Sequence, residues 1–166
     1  MRIRPAVPDD RPFVIAAAHR LAGFGPPAWR PSEEIVNGEA RTLQGFFAAP
    51  PAGSALWIAE SAPGNRLGFV YLERLQDYFT LEPHGHVWIL VVTEEAEGKG
   101  AGGALMRAAE EWAREQGYRR LTLTVFEANQ AARAMYEHLG YAPETLRYVK
   151  ILSSRPALAI SNKEDA

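Results

Sequence analysis

Residues 87–103 read Val87-Trp88-Ile89-Leu90-Val91-Val92, then Thr93-Glu94-Glu95-Ala96-Glu97, then Gly98-Lys99-Gly100-Ala101-Gly102-Gly103. The opening is an apolar run of strand length, the middle is an acidic connector, and the last six residues carry four glycines and lead into a helical pattern. Strand, glycine loop and helix in that order suit an anion. Glycine lets the backbone approach a phosphate closely, and the first helical turn has unpaired N–H groups. A bare tight turn does not call for glycine at four of six positions. Gly98-x-Gly100-x-x-Gly103 has the spacing of the dinucleotide fingerprint, with Glu127 about where a ribose-binding acid would sit. That fingerprint begins directly off its strand, however, and here five residues separate Val92 from Gly98. A Walker-type phosphate loop fails too, because Gly100 follows Lys99 where Ser or Thr is needed.

Working outward, the helix after the glycines should run from about Gly100 to Gln116, with Leu105, Ala109, Trp112 and Ala113 on its buried face. Gly117 is its C-cap, followed by apolar Tyr118. Leu121 to Phe126 reads as a strand. Asn129 opens a last helix whose stripe is Ala132, Met135, Tyr136 and Leu139, with Gly140 as cap. His86 to Val92 is a central strand. Strict period two puts His84, His86, Trp88, Leu90 and Val92 on one face and Val87, Ile89 and Val91 on the other.

The stretch Val87 to Tyr141 resembles the GNAT superfamily of acyl-CoA-dependent N-acyltransferases. The family's pyrophosphate loop, Arg/Gln-x-x-Gly-x-Gly/Ala, is matched by Glu97-Gly98-Lys99-Gly100-Ala101-Gly102, and its later motif by Asn129, Tyr136, Gly140 and Tyr141. Glu97 departs from the pattern, standing where the family usually has Arg or Gln. The resemblance implies an α/β (α+β) fold: a mixed, mostly antiparallel sheet of about six or seven strands, about four helices, and splayed central strands. It implies an N-acetyltransferase that uses acetyl-CoA as cosubstrate and passes the acetyl group to a primary amine by direct attack in a ternary complex. Leu90, Val91 and Val92 would meet the pantetheine arm, and the N–H near Leu90 the oxyanion. Glu97, Gly98, Lys99, Gly100, Ala101, Gly102 and Gly103 would hold the pyrophosphate, with Lys99 or Arg107 near a further phosphate. Asn129 would contact the pantetheine, or serve only as N-cap. Tyr136 would protonate the leaving thiolate, or be an ordinary core tyrosine.

The attacking amine must lose a proton. His86 is the candidate base, neutral at pH 7 in its ordinary range. A structural His86 fits the same position, and Glu73 or Glu82 acting through water is the alternative. His84 and His86 alone do not make a metal site. Phe24, Trp29, Tyr71, Glu73, Tyr78 and Trp88 form the candidate acceptor pocket, aromatic and acidic as suits a cationic amine. Two other classes stay open: a non-catalytic acyl-CoA-binding module and a dinucleotide-binding protein.

The chain of 166 residues is expected to form a single domain over 1–152, with a loosely ordered tail at 153–166. Net charge is −2 with no basic block, which argues against nucleic acid as the partner. The absence of cysteine excludes disulfides, a thiol nucleophile and Cys-ligated metal. No apolar run is long enough to span a bilayer and no signal-peptide pattern opens the chain, so a cytoplasmic protein without a membrane partner is expected. Abundant Ala, Arg and Pro suggest a GC-rich, bacterial source.

Upstream, Met1 to Val7 alternates as a first strand. Asp9 is the candidate N-cap of a helix whose buried face is Phe13, Ile15, Ala16, Ala17, Leu21 and Ala22. Gly23 to Pro31 breaks it. A second helix spans about Ser32 to Ala48. Strands follow at Ala55–Ala59 and Leu67–Leu72, joined by a hairpin loop at Ser61–Arg66, and then a mixed loop from Gln76 to Gly85. Ala142 to Leu152 is expected to supply closing strands, whose exposed edge suits a homodimer.

Overall fold

The computed structural model describes residues 1–152. Five strands form one sheet in the order β1-β2-β3-β4-β5: β1 Arg2–Pro5, β2 Ala55–Ala62, β3 Asn65–Gln76, β4 Pro83–Val92 and β5 Leu121–Leu123. Neighbours are antiparallel except β4 and β5, which run parallel. A doubly wound parallel sheet, and with it the dinucleotide reading, is therefore set aside. The helices are α1 Arg11–Ala17, α2 Ser32–Ala48, α3 Ala101–Glu115 and α4 Gln130–His138.

The sheet separates two cores. On one face Val14, Ala17 and Ala18 from the first helical segment and Leu43 from α2 meet Leu56, Ile58, Phe69, Tyr71, Ile89 and Val91. On the other, Leu105, Met106, Ala109 and Trp112 of α3 pack on Ala59, Val70, Leu72 and Val87, with Met135, Tyr136 and Leu139 of α4 at the margin. The α2 boundaries match those expected, and Gly38 and Gly45 are absorbed within the helix. Both glycine caps form. At Gly117, φ is 74°, its N–H reaches Arg114 O and the Tyr118 N–H reaches Ala113 O, each at 2.9 Å. Gly140, with φ of 90°, repeats the arrangement through Glu137 and Tyr136.

Several expectations are corrected. The sheet has five strands among the described residues, not six or seven. Residues 142–152 form no strand, and Leu146, Tyr148 and Leu152 are exposed. Their apolar positions come in adjacent pairs, Tyr148-Val149 and Ile151-Leu152, so no register puts them all on one face. β5 stops at Leu123, short of Phe126. The hairpin strands run longer than expected, leaving only a Pro63-Gly64 turn and the 77–82 connection as loops. The reading of 153–166 as a tail falls outside the described residues.

At the first helix, Asp10 rather than Asp9 does the capping work. Its carboxylate accepts the Val7 N–H at 2.9 Å, Arg4 Nη1 at 2.7 Å and Arg66 Nε at 2.6 Å, and it is fully buried. These donors hold the Asp10 carboxyl well below the usual carboxylate range, the Arg4 hydrogen bond being the largest cause and outweighing desolvation. The buried face of the first helical segment centres on Val14, Ala17, Ala18 and Ala22, because α1 passes into a 3-10 turn at Ala18–Ala22 that resets the periodicity.

The most consequential correction lies in β4. Tyr71 pairs with Ile89, but Leu72 pairs with Val87, so Trp88 is an extra residue, a β-bulge. Period two therefore breaks at Trp88. Val87, Leu90 and Val92 face α3, while His84, His86, Ile89 and Val91 share the opposite face with Glu73, Tyr71 and Phe69.

Candidate active site

β4 and β5 are paired only at Gly85–Leu121, His86–Thr122 and Val87–Leu123. Beyond Val87 the two parallel strands part, as the splayed arrangement requires. The open edge of β4 has defined polarity. The Thr93 N–H donates to Leu67 O at 2.8 Å, which makes 67 and 93 a hydrogen-bonded pair. Antiparallel alternation then makes Phe69–Val91 and Tyr71–Ile89 hydrogen-bonded pairs and turns the N–H and C=O of Leu90 and Val92 away from β3, into the gap. Gly68 allows this close approach, since a β-carbon there would lie 2.3 Å from Val91 O.

The gap leads to the glycine loop. After β4 a 3-10 turn, Glu94–Ala96, buries Ala96 and reverses the chain. Gly98 and Gly100 have φ of 68° and 81°, where other residues are strained. Gly100 is the N-cap of α3 and supplies no side-chain cap. The amides of Gly98, Gly100, Ala101, Gly102 and Gly103 make no hydrogen bond among the described residues. Ala101 is buried, and Gly102 packs beside Val92 and against Met135 of α4. Arg107 reaches back over the first turn, its Nη1 lying 3.4 Å from where a Gly103 β-carbon would be. Together these features suit a phosphate-bearing ligand: free donors, two left-handed glycines and a cation one turn in. Lys99 and Glu97 lie at the exposed rim.

α4 follows β5 in the chain and packs at the margin of the α3-side core, with Met135 against Gly102. Asn129 Oδ1 accepts the Ala132 N–H at 3.2 Å, so the N-cap role is real, and its amide nitrogen makes no hydrogen bond among the described residues. Tyr136 packs on the α3-side core, with the Tyr141 ring edge-on at 6.1 Å. Its hydroxyl makes no hydrogen bond among the described residues, and burial pushes its pKa up to about 12.

On the opposite face of the sheet His86 is buried, and its Nδ1 lies 2.8 Å from Thr122 Oγ1. That hydroxyl donates onward to Gly85 O at 3.4 Å, so it accepts from Nδ1–H and leaves the His86 lone pair on Nε2. Burial lowers the His86 pKa, nearby His84 adds to this, and Glu73 opposes both. His84 is itself buried, with Nδ1 unpartnered among the described residues. Trp88 lies edge-on to His86 at 4.9 Å and is 45% exposed, so the imidazole sits behind an indole that is open to solvent.

The candidate acceptor residues fall into four groups. Glu73 and Trp88 adjoin His86, through strand pairing and ring contact respectively. Tyr71 is a core residue whose hydroxyl donates to Glu73, and its pKa is raised by burial first and by that carboxylate second. Phe24 stacks on Phe126 at 4.9 Å, which brings the loop after the first helical segment to the end of β5, beside the parted strands. Trp29 is 51% exposed on that loop, and Tyr78 is 87% exposed at the β3–β4 tip, where its ring contact is with Phe79. The structure thus gathers Glu73, His86 and Trp88, while Tyr78 stands apart. Glu82, the other carboxylate considered, is tied near Arg120 at 3.8 Å. Thr122 and Phe126 carry no motif and become visible only once β5 is placed beside β4.

The profile of the acetyltransferase (GNAT) family matches residues 14–141. A mycothiol acetyltransferase from Propionibacterium freudenreichii is 31% identical over 134 residues, covering 81% of this chain and 40% of that protein. The uncharacterized N-acetyltransferase YobR from Bacillus subtilis is 35% identical over 71 residues, 43% of this chain and 29% of that protein. The matches span less than half the length of these two relatives. The crystal structure of a GCN5-related N-acetyltransferase from Ralstonia eutropha shares the fold with a TM-score of 0.73, at 20% identity over 92% of this chain and 99% of that one.

Proposed function

The chain belongs to the acetyltransferase (GNAT) family, and on that premise we propose that it transfers an acetyl group from acetyl-CoA to a primary amine, directly and within a ternary complex. The observation that carries the reading is the continuity of two donor sets. The outward backbone edge formed by Leu90 and the Val92 N–H runs into the loop whose amides at Gly98, Gly100, Ala101, Gly102 and Gly103 are unpaired among the described residues. Acetyl-CoA supplies an activated acyl carbon and a thiol leaving group.

The roles of the chain's own groups follow from their surroundings. The loop amides and Arg107 bind phosphate, the Leu90 and Val92 edge orients the arm, and Asn129 contributes its free amide nitrogen. His86 Nε2 takes the proton that the amine nitrogen sheds as it forms its new bond. Magnitude decides the timing. An ammonium near pKa 10.4 giving its proton to an imidazole below 6.5 is about 4 units uphill, roughly 5 kcal/mol. The amine therefore attacks in its neutral form, its first proton already lost to solvent, and the proton His86 takes is the one left on the nitrogen as the bond to the acyl carbon forms, when that nitrogen is far more acidic. Tyr136 hydrogen-bonds the departing sulfur. With its pKa near 12, against about 8.5 for an ordinary thiol, full proton transfer is uphill, so it stabilises the charge growing on sulfur as a hydrogen-bond donor. The amine enters on the Glu73, His86 and Trp88 side, where the carboxylate attracts a cation and the indole face accepts one. The acceptor is an amine on a small molecule or a peptide, and relatives named mycothiol acetyltransferase favour a small molecule.

Thiol release from acetyl-CoA, measured against a panel of amines, tests the reading. Turnover with one amine class supports it and names the class. CoA binding with no turnover on any amine would favour a non-catalytic acyl-CoA module.

A further inference from the structure

An arginine remote in sequence holds the acidic connector. Arg20 lies in the 3-10 turn Ala18–Ala22. Its Nε donates to Val92 O at 2.7 Å, Nη2 donates to Glu97 Oε1, and Nη1 lies 3.9 Å from Glu94 Oε2. The guanidinium thus ties the last outward carbonyl of β4 to the residue just before Gly98. Its side chain is 24% exposed and that of Glu97 is 62% exposed, so the pair sits at the mouth of the loop with the cation on the protected side.

The charges near this point need such a cation. Glu94, Glu95 and Glu97 put three carboxylates beside amides suited to a phosphate, and Lys99 is the one basic residue between Thr93 and Gly103. Like charges a few ångströms apart disfavour binding, most where solvent is partly excluded. We propose that Arg20 is a positioning residue of the acyl-CoA site: it cancels the Glu97 carboxylate and holds the Val92 carbonyl, so that the Gly98–Gly103 amides accept a pyrophosphate beside an acidic connector. The proposal rests on reading this loop as the acyl-CoA site. It also accounts for an acid at position 97, where the resembling motif carries Arg or Gln: the positive charge comes from Arg20 instead.

Calorimetric titration of CoA itself into the full chain tests this, using wild type, R20Q, E97Q and R20Q/E97Q. Melting of each unliganded protein serves as the folding control. Gln at position 20 keeps a donor for Val92 O and drops the charge. R20Q should weaken CoA binding about 10-fold or more at low salt, and less at about 0.5 M salt, where exposed charges are screened. E97Q should tighten it about threefold, because Arg20 is then released toward the phosphates. The double variant should return to within about threefold of wild type. A double variant as weak as R20Q overturns the proposal, because Glu97 is then not what Arg20 covers. Unchanged binding in R20Q overturns it as well. If R20Q melts too low to titrate, E97Q decides alone, and weaker CoA binding there is the overturning result. Wild-type protein that gives no heat with CoA removes the acyl-CoA reading itself, an outcome distinct from any ordering of the variants.

Discussion

His86→Ala probes the proposed chemistry most directly. In the structure the imidazole is buried, its Nδ1–H is committed to Thr122 Oγ1 and its pKa is lowered. An ordinary histidine of pKa about 6.5 is already about three-quarters neutral at pH 7. The lowered value makes the base form nearly complete there. Protonation removes the base, so kcat/KM for the amine should fall on the acid side along a limb centred below about pH 6.5. Above that limb the rate should follow deprotonation of the amine itself. Loss of a positioned general base costs about 10²–10⁴-fold, and His86→Ala should lose that much at pH 7.5 while its CoA affinity stays within about twofold of wild type.

Initial rates of thiol release from pH 5 to 9, with CoA titrations at each end, separate the outcomes. The variant should lose the acid limb, and added imidazole should restore part of the rate. Thr122→Val, which removes the acceptor of the Nδ1 proton, should give a smaller loss, about tenfold, by freeing the unproductive tautomer. A His86→Ala protein that keeps the acid limb at the same midpoint, or loses less than about fivefold, would refute the assignment and move the base to Glu73 acting through water.

Three further outcomes follow from the same geometry. Tyr136→Phe should cut kcat about 10²-fold with little change in the acetyl-CoA KM, because the ring packing remains and only the donor is lost; an unchanged kcat would make Tyr136 a core residue. Asp10→Asn should destabilise the fold by about 3 kcal/mol in chemical denaturation, the low end for breaking a buried ion pair, since Arg4 and Arg66 keep some solvent contact at 16% and 26% exposure. The Asp10 pKa is depressed on folding, so its stabilisation is present above the unfolded value near 3.9 and fades as pH falls further; the wild-type advantage over Asp10→Asn should shrink below about pH 4, and a constant difference would contradict the pairing. Gly68→Ala should cost about 2 kcal/mol or more, because its β-carbon would sit 2.3 Å from Val91 O; a wild-type melting temperature would show that β3 and β4 can separate at little cost.

What the sequence made legible was local. Helix α2, the glycine-capped ends of α3 and α4, and the strand–loop–helix at 87–103 each depend on a few adjacent residues with strong conformational preferences. The unread features join distant segments. Arg20 meets Glu97 across 77 positions, Asp10 meets Arg66 across 56, and His86 meets Thr122 across 36. No periodicity marks such pairs, because each partner alone reads as an ordinary surface charge or strand residue. The closing strands failed for a related reason: apolar content at 142–152 was visible, but a strand also needs a paired edge and one consistent face.

The bulge at Trp88 shows how much one such unread feature can decide. With unbroken alternation His86 would lie in phase with Leu90 and Val92, on the face that packs against Leu105 and Met106 of α3. A histidine there would meet aliphatic side chains and have no carboxylate neighbour. The inserted residue reverses the phase, so His86 comes to lie beside Glu73 while Leu90 and Val92 keep their side chains on the α3 core. The same insertion coincides with the end of β4–β5 pairing, since Val87–Leu123 is the last rung and Trp88 follows it. One irregular residue therefore places His86, the proposed base, on one face of the strand and begins the open backbone edge next to it. The proposed proton acceptor and the proposed acyl-binding edge thus come within a few residues of each other on a strand that stays paired with β3. A substitution that repaired the alternation, deletion of Trp88, should leave a paired sheet but turn His86 into the α3 core, and both amine turnover and the acid limb should be lost together.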